Sequence, residues 1–77
     1  MPRYFFNVQD GSDLPDDVGT ICADPVDART QAVIASGALL RDFGARFWQD
    51  ADWRMHVTDE LGATVCNLRF SGTVGAH

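Results

Sequence analysis

The chain has 77 residues, 45% of them hydrophobic, and a formal net charge of −5. That length makes one small domain of modest stability with little core to spare for a deep cavity, and the apolar content excludes disorder by composition. No apolar run approaches the ~20 residues of a membrane helix, the net acidity disfavours a nucleic-acid binder that relies on bulk charge, and two cysteines cannot make a disulfide-rich scaffold.

In chain order, Arg3 to Gln9 reads as a strand, rich in aromatic and β-branched residues. Tyr4, Phe6 and Val8 point to one side, and Arg3, Phe5, Asn7 and Gln9 to the other. Asp10-Gly11 opens a turn, followed by an acidic loop over Asp13-Leu14-Pro15-Asp16-Asp17. Gly19 to Ala23 reads as a short strand. Asp24-Pro25 is the clearest helix start: the aspartate can accept from free N–H groups of the first turn, and proline suits the first helical position. The expected apolar stripe is Ala32, Leu39, Leu40 and Phe43, with small Ala28, Ala35 and Ser36 beside it. Gly44 ends the helix. Gly37 in its middle costs about 1 kcal/mol, which close packing against a neighbour would explain. Phe47, Trp48 and Asp50-Ala51-Asp52 form a connection, the tryptophans capping the core if buried and marking an interface if exposed.

Trp53 to Thr58 alternates Trp53, Met55 and Val57 against Arg54, His56 and Thr58. Asp59-Glu60-Leu61-Gly62 makes a tight hairpin. Thr64 to Phe70 closes the order, with Cys66, Leu68 and Phe70 on one side and Val65, Asn67 and Arg69 on the other. The expectation is one α+β domain over residues 1–70, with a flexible tail over 71–77. Its ββαββ order builds a four-stranded, mainly antiparallel sheet with one helix on one face. The expected strand order is 19–23, 3–9, 53–58, 64–70, which pairs both hairpins with one crossover.

One helix covers one face. The other face then displays Arg3, Phe5, Asn7, Arg54, His56, Asn67 and Arg69, the candidate binding residues. Three of the six arginines gather there. An ordinary solvated face with cross-strand pairs is one reading. Self-association burying Phe5 is a second. Binding of an acidic partner or anionic ligand by arginine forks is a third. Single-stranded RNA ranks below these, because only one aromatic is exposed and the net charge opposes it.

Catalytic and metal patterns fail on spacing. The acidic loop lacks the alternate ligands, central glycine and final glutamate of a calcium loop. Cys22, Cys66, His56 and His77 lack the paired spacing of a zinc site. Neither a nucleophile elbow nor a phosphate loop is present. The two cysteines read as buried thiols in a reducing compartment, with a Cys22–Cys66 bridge as the alternative. The start, Met-Pro-Arg-Tyr-Phe-Phe, does not read as an export signal, so the expected location is cytoplasmic.

Met1-Pro2-Arg3-Tyr4-Phe5-Phe6-Asn7-Val8 with Asp10-Gly11, then Pro15-Asp16, Gly19, the alanine-rich helix and Val57-Thr58-Asp59-Glu60 with Gly62, resembles a family of short, uncharacterised bacterial proteins known as a domain of unknown function. The resemblance covers nearly the whole chain and implies a free-standing domain without an assigned activity. Its members commonly carry histidine where this chain has Asn7. Pro15-Asp16, Gly19 and Asp24 to Leu40 are also similar to HicB-type antitoxins, which bind and block a small partner ribonuclease; three strands precede the helix there, against two here. The expected function is thus a small non-enzymatic interaction domain, homodimeric, with no cofactor, metal or membrane. The alternative is a HicB-antitoxin-like or regulatory module that binds a protein or anionic ligand on the open sheet face. An enzyme ranks last and would need residues from two chains to complete a site.

Overall fold

The computed structural model describes residues 2–75. In chain order the elements are β1 (Arg3–Gln9), β2 (Asp13–Leu14), β3 (Thr20–Ile21), α1 (Pro25–Phe43), a 3-10 helix (Gly44–Gln49), β4 (Asp52–Thr58) and β5 (Thr64–Ser71). The sheet is antiparallel throughout, in the order β2-β1-β4-β5, with β3 also paired to β1. The expected α+β class, single helix and strand order stand.

The segment ahead of the helix differs from expectation. Asp13 and Leu14 are not loop residues but pair with Gln9 and Val8, so three strands precede the helix rather than two. The tight turn is the cause. Gly11 takes φ +100°, Asp10 N–H donates to Ser12 O, and Gln9 Nε2 donates to Asp13 Oδ1 at 2.8 Å. The chain folds straight back on β1 despite its acidic composition.

The start of α1 follows from its sequence. Asp24 accepts from Asp27 N–H at 2.8 Å, and Asp27 accepts in return from Ala23 N–H at 2.8 Å. This reciprocal arrangement satisfies one first-turn donor and the N–H of the residue just before the cap. Gly44, at φ +52°, closes the helix by donating to Leu40 O. The buried stripe is Ala28, Ala32 and Ser36, with Ala35, Leu40 and Phe43 packed beside it. Leu39 was expected inside but is exposed, because the small residues take the sheet contact and rotate it onto the flank. No helix among the described residues is long and apolar enough to cross a membrane.

The core joins Tyr4 and Val8 of β1 to Trp53, Met55 and Val57 of β4, with Cys22, Ala28, Ala32 and Phe47. It sits on the side assigned from the period-2 alternation. Phe70 is the exception among the expected inward residues. It stacks edge-on against Phe47 at 5.2 Å but stays half-exposed, because β5 lies at the border of the sheet. Trp53 is buried while Trp48 is half-exposed, so only the former caps the core. A Cβ added to Gly37 would meet nothing within 4 Å, so the close packing expected to explain this glycine is not found among the described residues. β5 runs to Ser71, and Gly72 N–H donates to Ala51 O, two residues beyond the expected domain limit. Met1, Ala76 and His77 lie outside the described residues, and with them part of the expected tail and one of the weighed zinc ligands.

Candidate functional site

The face away from α1 holds a shallow concave groove of about 690 Å³. Five of the seven candidate residues line it: Asn7 from β1, Arg54 and His56 from β4, Asn67 and Arg69 from β5. Register brings them together, since Asn7 lies opposite His56, His56 opposite Asn67, and Arg54 opposite Arg69. Asp13, Leu14 and Pro15 form its wall on the β2 side.

Arg3 and Phe5 are not part of this surface. The connection from β2 to β3 folds over them: a Cβ on Gly19 would lie 2.7 Å from Arg3 Cγ and 3.0 Å from Phe5 Cε1. Arg3 spends its guanidinium on Val18 O at 2.7 Å. Phe5 therefore stays on the outer side but is half-buried, and it is no exposed apolar centre. The cover rests on Asp16. Its carboxylate accepts from the N–H groups of Phe6 (3.1 Å), Val18 (3.0 Å) and Gly19 (2.9 Å), and Asp16 N–H donates to Asn7 Oδ1 at 2.9 Å. Partial burial alone would raise the Asp16 pKa. The backbone donors of Gly19, Phe6 and Val18, helped by the Arg3 charge, outweigh it and hold the carboxyl below its ordinary value. Asn7 is thus a brace, with its Nδ2 donating to His56 O at 3.1 Å.

One residue that sequence reasoning missed organises the groove. Asp52 accepts from Arg69 Nε at 3.0 Å through one oxygen and from Arg54 Nη2 at 3.3 Å through the other. The Arg69 hydrogen bond is the main reason its pKa is lowered, with the Arg54 and Arg69 charges adding to it against partial desolvation. The i, i+2 spacing of Asp52 and Arg54 places both on one face of a strand and was a legible signal. These exposed ion pairs hold side chains in place more than they stabilise the fold. His56 Nε2 lies 2.8 Å from Thr64 Oγ1. The groove is rich in donors, and Asp13 in its wall together with Asp52 beside it offset the formal charges of Arg54 and Arg69.

Among the described residues, no three His, Cys, Asp or Glu side chains converge to hold a metal ion. Cys22 is buried and Cys66 half-buried, and both are free, so the Cys22–Cys66 bridge is not formed. Burial pushes both thiols above their ordinary pKa, which disfavours the nucleophilic thiolate.

A family model described as a domain of unknown function (DUF6894) matches residues 3–71. No curated protein and no solved structure shows a significant match to the chain.

Proposed function

For a chain that belongs to the DUF6894 family, we propose a non-enzymatic interaction domain whose open sheet face grips a carboxylate-bearing segment of a partner protein. The observation that carries this reading is the sharing of Asp52, which lies beside the groove, by the groove residues Arg54 and Arg69. Each guanidinium gives one donor to Asp52 and keeps the rest of its planar fork free. A partner carboxylate bridging the two forks adds charge-assisted hydrogen bonds without creating a buried unpaired charge. Asn67 and His56 lie alongside to meet main-chain groups.

The balanced charge favours a mixed polar polypeptide over a polyanion, whose binding depends on an excess of cations. Three strands ahead of the helix is also the count that the HicB-type likeness implies, and those proteins act by protein contact.

Co-purification from the native cell tests the reading. Wild-type chain is expected to retain a partner that the R54A/R69A double variant binds at least tenfold more weakly, with both proteins equally folded by circular dichroism. Undiminished capture by the double variant removes the groove from the contact.

A further inference from the structure

The border strand β5 points to a second copy of this chain as its neighbour, and we propose that two chains pair antiparallel through β5 with Leu68 at the two-fold axis. This does not rest on the groove reading. β5 is hydrogen-bonded to β4 on one side only. Gly72 N–H bonds Ala51 O in continuation of the β4–β5 register. Backbone groups alternate in side along a strand, so Leu68 and Phe70 also bond β4, and Asn67, Arg69 and Ser71 turn their N–H and C=O groups to the free border. Borders of this kind are usually guarded by lysine, proline or a bulge at their middle. Thr64–Ser71 contains neither lysine nor proline, its one charged residue, Arg69, is paired with Asp52, and its one register shift lies at the far end, near Thr64.

The register follows from the side chains. A two-fold axis perpendicular to the sheet preserves the faces only when opposed residues share the same side. Centring on Leu68 sets Leu68 on the partner's Leu68, Cys66 on the partner's Phe70, and Asn67 on the partner's Arg69. Apolar meets apolar on the helix side, and an amide meets a guanidinium on the open side. Asn67 and Arg69 then exchange both main-chain hydrogen bonds at each of two positions. Moving the centre to Arg69 stacks like charges directly opposite, which is destabilising. Moving it to Asn67 places Thr64 against the partner's Phe70 and Val65 against the partner's Arg69.

The helix layer agrees independently. α1 lies over β4 and β5. With strands about 4.8 Å apart, a helix centred between them stands about 5 Å from the axis, so the two copies of α1 run antiparallel about 10 Å apart, the spacing of packed helices. Ser36 Oγ touches Met55 Sδ at 3.6 Å, and Met55 pairs with Leu68. Gly37, the next residue, therefore stands level with the axis. It also lines the groove shared with Phe70 and Trp48, so it faces the β5 side. A mid-helix glycine is unfavourable, a Cβ there would meet nothing within 4 Å among the described residues, and closest approach of two helices gives it a reason. Val33, one turn away, and Phe70 are 61% and 51% exposed in the single chain, and both lie toward this contact.

Sedimentation equilibrium and amide exchange test the proposal on the full chain. Wild type is expected at twice its 8.4 kDa mass, with the Asn67 and Arg69 amides exchanging as slowly as that of Leu68. Asn67→Pro removes a border N–H that β4 does not use, and Gly37→Leu fills the helix crossing. Each is expected to give a folded monomer by circular dichroism and to weaken the dimer at least tenfold. A wild-type monomer at about 1 mM, fast exchange at Asn67 and Arg69, or a dimer untouched by both variants overturns the assignment. The last outcome would place self-association on another surface and leave the Arg54 and Arg69 test unaffected.

Discussion

Asp16 does at one position what several backbone carbonyls do elsewhere in the sheet. Its carboxylate takes three N–H groups where β2 and β3 leave a gap along β1. Asp16→Ala leaves those donors dependent on water and is expected to cost about 1–3 kcal/mol in urea unfolding. The pH dependence follows from the direction of its shift. A carboxyl held below 3.8 when folded stabilises the protein above its unfolded pKa, and that contribution disappears as pH falls through the folded value. Stability is therefore expected to be level from about pH 7 to 5 and to drop below about pH 4, with Asp16→Asn showing a shallower drop. Equal acid sensitivity in wild type and Asp16→Asn would assign the effect to other carboxylates. Gly19 belongs to the same device: at φ +76° and pressed on Arg3 and Phe5, its replacement by alanine is expected to lower stability by about 2 kcal/mol, measured as a reduced urea midpoint.

At the scale of elements, the helix and the short strand β3 were legible and β2 was not. Asp24-Pro25 with Asp27 announces a capped start by local chemistry, and the structure builds that cap. Alternation in 3–9, 53–58 and 64–70 gave the inward side because one helix defines one dry face. A two-residue strand has no period to detect, and aspartate is rare in strands, so β2 read as loop. The burial of Phe5 was out of reach for another reason. It depends on where a loop some ten residues later comes to rest, a long-range event that strand alternation does not encode. Met55 shows what the expected core is worth: it is 1% exposed beneath Ser36, and Met55→Ala is expected to cost about 2–5 kcal/mol by thermal unfolding.

At the scale of the whole molecule, the layering explains why the candidate site was only partly legible. The bare face exists, and Asn7, Arg54, His56, Asn67 and Arg69 share it. The number of arginines was misleading without their counter-ions, since Asp52 ties two of them and Val18 O takes the third. A self-association surface inferred from Phe5 loses its centre once that ring is covered. Exposed apolar side chains are spread over the molecule, and Phe70, Trp48 and Val33 are the ones that lie toward the β5 border, where an 8.4 kDa chain can gain by sharing a core.

The interruption between Leu14 and Thr20 has a last consequence. It makes the two borders of the β-layer unequal, since the one beside β1 is broken and plugged by an acidic side chain while the other runs clean. Lateral growth is therefore blocked in one direction. In the proposed pairing, two chains joined edge to edge through β5 would present only their broken borders, so the association would end in a closed pair instead of propagating into fibrils.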